Sequence, residues 1–158
     1  MKQYLGVEVK IVTPFTFNHY EHDMTPDDFV VCISQSGCST NTIESLQLCR
    51  RLGMRAIGLT GNIHSDFEHE ADEVIDFGLG GEKLDFVTKG VVTLTAFLML
   101  FALHAAHAQG RLSGQALEEQ KRQMMACMEN YDALITAFPA YFEANKQKLL
   151  SMERAYLI

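Results

Sequence analysis

Phe29-Val30-Val31-Cys32-Ile33-Ser34-Gln35-Ser36-Gly37-Cys38-Ser39-Thr40-Asn41-Thr42-Ile43-Glu44 is the stretch from which the fold is read. Five apolar residues run without a break and stop at Ser34. Such a run predicts a parallel strand covered on both faces. A polar turn follows, and the residues after it take up a helical period, so the unit reads strand, polar loop, helix N-terminus. The first amides of a helix have no internal partner, and that end of the helix carries partial positive charge. A phosphate placed there gains from both. The loop adds the hydroxyls of Ser34, Ser36 and Ser39 and the side-chain amide of Gln35. Gly37 admits a backbone angle or a close approach that a side chain forbids. With no Lys or Arg in the loop, the pattern points to one phosphate on a small molecule, held by neutral donors. The P-loop and the Rossmann glycine fingerprint are both absent. The same turn also reads as a plain helix start capped by Ser39 or Asn41, with Asn41 and Glu44 forming part of a capping box.

Outward from this stretch, the 158 residues allow one domain with a sizeable core, and an apolar share of 47% marks a folded chain. Twenty acidic residues against 13 basic ones give a net charge of -7. That balance, with no basic cluster, argues against nucleic acid and anionic membrane as partners. The cysteines, Cys32, Cys38, Cys49 and Cys127, have no CxxC spacing and read as reduced thiols of a cytoplasmic protein. Cys38 lies inside the loop; with no His beside it in sequence, a nucleophilic role is the lesser reading. The first residues do not read as a signal peptide.

Along the chain, Met1 to Gly6 is too short for an element, and Val7 to Val12 alternates apolar and polar and predicts a strand. Thr13 to Asp23 reads as a loop or short helical turn, whose His19 and His22 read as solvated rather than as metal ligands. Thr25-Pro26-Asp27-Asp28 is a turn that delivers the chain to Phe29. A helix through Ile43, Leu46 and Leu52 ends at Gly53, and strands follow at Arg55–Gly61 and Glu73–Gly78. Strands alternating with helical connections predict a mostly parallel sheet. Ligands bind beyond the C-terminal ends of such strands, where Ser34 and Thr60 both lie. Val91 to Ala108 has no charged residue and reaches the lower limit for a membrane span. It reads instead as a helix buried against the sheet and a partner subunit, with His104 and His107 as ordinary helix residues. A second helix carries apolar residues from Leu117 to Phe138 on one broad face, Pro139 is expected to end or kink it, and the segment to Tyr156 reads as a helix that docks on a further domain or a partner subunit. Glu118, Glu119 and Glu129 fall on a polar face.

Ser34-Gln35-Ser36-Gly37-Cys38-Ser39 resembles the loop of the sugar isomerase (SIS) domain family, as found in the isomerase half of glucosamine-6-phosphate synthase. In that family a strand ends in Ser-Gln-Ser-Gly with a Ser or Thr two residues on. The likeness continues through Asn41-Thr42, Ala56 to Thr60, Ala71 to Ile75, Glu82 and Thr88-Lys89-Gly90, and covers Val7 to about His107. It implies an α/β fold of three αβα layers with a mostly parallel sheet, followed by a helical C-terminal segment. Residues 1–110 would be a partial SIS domain lacking its first strand, and 111–158 a helical extension or a linker to a second domain. The resemblance implies that Ser34, Gln35, Ser36 and Ser39 hold the phosphate of a phosphosugar and that Thr60 lies near the sugar. Gly37, Glu82 and Lys89 would stand at the pocket rim. No catalytic residue, cofactor or metal is assigned. The implied function is phosphosugar binding within a ketose/aldose (amino-sugar) phosphate isomerase or deaminase, with a non-catalytic sugar-phosphate sensor as the alternative. A homodimer is implied as well. One departure stands out. The family's first strand, with its Gly-rich, Ser-containing loop, lies between the strands that Val7–Val12 and Phe29–Ser34 represent, and the chain begins just after it. The neighbours must then pair anew, or another chain must fill the gap, for the backbone groups to be satisfied.

Overall fold

The computed structural model describes residues 2–80 and 89–152. Three strands, β1 (Phe29–Ile33), β2 (Arg55–Thr60) and β3 (Glu73–Asp76), form a parallel sheet in the order β1-β2-β3. Val31 lies opposite Ile57, and Ile57 opposite Glu73. The first residues form single-turn α1 (Lys2–Leu5), where no element was expected, and then α2 (Pro14–Tyr20). Helix α3 (Thr40–Arg51) joins β1 to β2, and short α4 (Phe67–Glu70) joins β2 to β3. Long α5 (Lys89–Ala108) follows, then α6 (Gly114–Glu129) and α7 (Tyr131–Leu150). The α/β class with a parallel sheet flanked by helices is as the sequence predicts.

Alternation along the strands divides the core between the two faces of the sheet. Cys32 and Ala56 on one face pack with Leu46, Cys49 and Phe67 of α3 and α4. Leu59 on the other packs with Phe77, Leu79 and the α5 residues Leu94, Phe97 and Leu98. Gly58 makes the first contact possible: a Cβ there would come 2.5 Å from Cδ2 of the fully buried Phe67. By length and composition α5 is, among the described residues, the one helix able to cross a membrane, a test that core helices also pass.

Two sequence expectations are corrected here. Strand β1 is not covered on both faces. Phe29 is 55% exposed and Val31 and Ile33 each 38%, because α5 lies over Leu59 and the residues after β3 and leaves this face of β1 open. Val7 to Val12 is not a strand. Its alternation favours extended backbone, but a strand exists only as part of a ladder, and among the described residues this segment has no partner in the sheet. Ile11 is 90% exposed. The segment runs on to Thr13, which caps α2 by accepting the Thr16 amide. Helix α2 is tied to α3 by Asn18, which donates to the Asn41 carbonyl (3.0 Å) and accepts from the Ser45 hydroxyl (2.7 Å).

The chain separates into two compact units, residues 1–106 and 107–158. In the second, Ser113 caps α6 by accepting the Ala116 amide. Helix α6 ends at Glu129 and α7 begins at Tyr131; Asn130 between them (φ -80°, ψ -2°) caps both, its amide donating to the Ala126 carbonyl and its carbonyl accepting from Leu134. Pro139 sits inside α7 and does not end it.

Candidate functional site

Strand β1 delivers Ser34 to the edge of the sheet, where its amide still donates to the Leu59 carbonyl at 3.1 Å. Ser34 is buried, and its hydroxyl is the hub of the loop. It accepts the Gly37 amide (3.2 Å) and shares a hydrogen bond with the Ser39 hydroxyl (2.9 Å). The Ser36 hydroxyl accepts the Cys38 amide at 3.2 Å. Gly37 takes φ +69°, the left-handed region that favours glycine. Space demands glycine there too: a Cβ would stand 1.9 Å from the Ser65 hydroxyl oxygen and 3.0 Å from that of Thr60.

The end of β2 clamps this loop from behind. The Gln35 carbonyl accepts the Gly61 amide (3.0 Å) and the Thr60 hydroxyl (3.2 Å). Thr60 is wholly buried, so its place is beneath the loop, and Gly61 and Asn62 are the β2-end residues that face outward.

The helix that follows the loop separates the two readings of the sequence. Ser39 holds the N-cap position of α3, but its side chain makes no capping bond. The hydroxyl turns instead to Ser34. Asn41 lies within the first turn, where its carbonyl accepts the Ser45 hydroxyl at 3.0 Å. The first amides of α3 therefore have no side-chain cap, and the hydroxyl that would have supplied one stands in the cleft.

That cleft, of about 600 Å³, is lined by Ile33, Ser34, Gln35, Ser36, Ser39, Gly61, Asn62 and Leu79. Every one of these side chains is uncharged. The arrangement supplies hydroxyl and amide donors around an uncapped helix end, which is chemistry for holding an anion and not, by itself, for moving a proton. The structure thus brings together four of the predicted residues, Ser34, Gln35, Ser36 and Ser39. Gly37 lies behind them, Lys89 is the exposed first residue of α5, and Glu82 lies outside the described residues. Gly61, Asn62 and Leu79 were missed as lining residues. The first two were findable, since they follow the C-terminal end of a parallel strand. Ser65 was also missed; it is buried, and its hydroxyl has no partner.

Of the cysteines, Cys32 and Cys49 are buried in the core between the sheet and α3, and Cys38 and Cys127 are exposed. Burial pushes the Cys32 thiol up to about 12 and that of Cys49 to about 11. Among the described residues no three His, Cys, Asp or Glu side chains come together as a metal site.

Comparison with known proteins matches the SIS domain to residues 15–103. A glutamine--fructose-6-phosphate aminotransferase (isomerizing) from Clostridium tetani is 31% identical over 122 residues, 77% of this chain and 20% of that protein. Another from Bartonella henselae is 34% identical over 110 residues, 70% of this chain and 18% of its own length. Among solved structures, the C-terminal domain of glucosamine-fructose-6-phosphate aminotransferase from Francisella tularensis superposes with a TM-score of 0.72 at 20% identity, over 92% of this chain and 40% of that one. Glucosamine-6-phosphate deaminase from Thermotoga maritima gives 0.63 at 17% identity, over 96% and 42%. These structures share the fold. The chain spans about a fifth of the length of the curated relatives it matches.

Proposed function

The chain belongs to the SIS domain family, and from that premise we propose that it binds a sugar phosphate in the cleft under Ser34, Gln35, Ser36 and Ser39. The observation that carries this reading is the Ser39 hydroxyl, which leaves α3 uncapped and joins Ser34 at the cleft. An anion entering there meets free helix amides and hydroxyl donors with no cation to displace. Residues 1–110 serve as a partial SIS domain, cytoplasmic and without cofactor, that holds the phosphate end of the substrate of a ketose/aldose phosphate isomerase or deaminase. The likeness to aminotransferases that act on fructose 6-phosphate favours the amino-sugar branch. Thr60, and Gly37 with it, act by holding the loop, and Glu82 and Lys89 belong to the rim.

Isomerisation needs a group that carries a proton between neighbouring carbons, commonly a carboxylate. None lines the described cleft. The catalytic acid and base of this reading therefore come from outside those eight residues. The same observation favours a second reading, a sensor that binds the sugar phosphate without turning it over. The exposed apolar face of α5, which includes Met99, Leu100 and Phe101, serves as a surface for a second copy of the chain. A monomer by sedimentation at micromolar concentration counts against that dimer.

Calorimetric titration of the purified chain with glucosamine 6-phosphate, fructose 6-phosphate and inorganic phosphate tests the binding reading. A sugar phosphate that binds more tightly than phosphate alone supports it, and a turnover assay on the same sample separates isomerase from sensor. A folded chain that binds none of the three refutes it.

A further inference from the structure

The first turn of α3 has no side-chain cap from Ser39, yet it must keep its place if an anion is to meet its amides. It is held from the carbonyl side instead. Asn18 of α2 donates through Nδ2 to the Asn41 carbonyl at 3.0 Å. Its Oδ1 accepts the Ser45 hydroxyl at 2.7 Å, and that hydroxyl also lies 3.0 Å from the same carbonyl. Ser45 is buried and Asn18 half-buried, so the three groups close a ring where α2 crosses the start of α3. A side chain in this place must donate and accept at once, which an amide does. Asn18 is itself well fixed. Thr13 caps α2, and Phe17, next to Asn18, packs against the buried cluster that includes Cys32, Leu46 and Cys49.

We propose that Asn18 is a positioning residue of the phosphate site: by donating to the Asn41 carbonyl it fixes the uncapped first turn of α3, and so sets where the α3 amides and the Ser39 hydroxyl stand. The inference rests on the sugar-phosphate reading of the cleft. A side-chain cap brings an acceptor to the helix amides and competes there with an anion. A donor placed on a carbonyl steadies the same turn and leaves its amide side to the ligand.

The backbone carries the effect to the cleft. The Asn41 carbonyl and the Thr42 amide belong to one planar peptide unit. The Thr42 amide donates to the Ser39 carbonyl at 3.0 Å, as does the Ile43 amide. Ser39 is the residue whose hydroxyl meets that of Ser34 at 2.9 Å. Donation into the Asn41 carbonyl also polarises the Thr42 amide, since hydrogen bonds in a chain strengthen one another. Asn18 is not among the residues that line the cleft, so its part is to place other groups.

Asn18→Leu tests this, since Leu keeps the size, removes both bonds and adds no charge beside an anion site. Arg50→Ala is the control. Arg50 ties the opposite end of the same helix to the Glu70 carboxylate and the His69 carbonyl. Each full chain is titrated by calorimetry, well below its melting temperature, with fructose 6-phosphate, glucosamine 6-phosphate and inorganic phosphate, and its urea midpoint is measured. Asn18→Leu is expected to weaken every ligand that the wild type binds by the same factor, roughly five- to tenfold, the worth of one hydrogen bond. Arg50→Ala is expected to lower the urea midpoint and leave those affinities unchanged. Asn18→Ala adds no bulk and is read in the same way if the Leu chain does not fold. Wild-type affinity in the Asn18 variant overturns the positioning role. An equal loss of affinity in Arg50→Ala overturns it too, because the effect is then one of general stability. A folded wild type that binds none of the three refutes the sugar-phosphate reading itself and takes this inference with it.

Discussion

Ser39 shows how one side chain decides what a turn is for. Turned toward the α3 amides it would be a structural cap; turned to Ser34, as it is, it leaves those amides without a side-chain cap. Replacing Ser34 and Ser36 by Ala should abolish sugar-phosphate binding in calorimetry. Each lost donor to an ionised phosphate is worth about 1.5–3 kcal/mol. Ser36→Ala is the cleaner of the two, since Ser36 makes only local loop bonds, whereas buried Ser34 also anchors Gly37. Gly37→Ala should be worse than either. It places a Cβ 1.9 Å from the Ser65 hydroxyl and adds about 1–2 kcal/mol for the left-handed conformation. Adding Ser65→Gly removes the collision but not the backbone term. The double variant should therefore recover part of the thermal stability lost by Gly37→Ala, and the two changes should fail to add. Full additivity in a melting experiment would mean that Gly37 and Ser65 are not in contact.

Cys32 and Cys49 titrate far above an ordinary thiol because burial disfavours the thiolate. The folded values, about 12 and about 11, lie above the unfolded value near 9, so the unfolded chain releases these protons first. Their contribution to stability is complete below pH 9 and is lost as pH rises through 11 to 12. Urea midpoints measured across that window should fall more steeply for the wild type than for a Cys32→Ala, Cys49→Ala chain. An alkylating reagent at neutral pH should label the exposed Cys38 and Cys127 in the native protein and the buried pair only after unfolding.

At the scale of elements, β1 is the weak member of the sheet. Ser34 donates toward β2, and strand geometry alternates these bonds, so the backbone groups of Phe29, Val31 and Ile33 point to the open edge. Those amides should exchange with deuterium faster than the amides of Ile57 and Leu59 in β2, which has a neighbour on each side. Equal protection would show that a further strand covers the edge in solution. The run Phe29–Ile33 was correctly read as a parallel strand, but its coverage was not legible. Apolar β-branched sequence reports that burial is favourable, and only the reach of α5 over its neighbours says whether it happens. The same holds for Val7 to Val12, whose alternation describes a competent strand and not the partner it lacks. Helices α3 and α5 were easier to read, since their hydrogen bonds are internal and their ends are marked locally by Ser39, Gly53 and Lys89.

On the scale of the whole molecule, the boundary between the two compact units falls at Ala106 and His107, near the end of α5, and the turn from Gln109 to Ser113 follows it. Arg111 in that turn is exposed and sits outside any helix, whereas many of the other basic residues lie within helices. Limited trypsin treatment should cut after Arg111 early, giving pieces 1–111 and 112–158 by mass spectrometry. A first cut within α3 would show instead that the sheet unit opens more readily than the turn.

The sequence by itself determined the class of fold, the order of strand, loop and helix, and the four residues that stand around the cleft. Those are local matters: periodicity sets the elements, and the Ser-Gln-Ser-Gly turn must follow its strand wherever the strand lies. Tertiary structure alone decided that Ser39 faces Ser34 and not the helix, that Thr60 and Ser65 brace the loop from behind, and that one face and one edge of β1 stay open. Each of these depends on residues distant in the chain meeting in space, as when Gly37 meets Ser65, and no pattern along the sequence records which of them will touch.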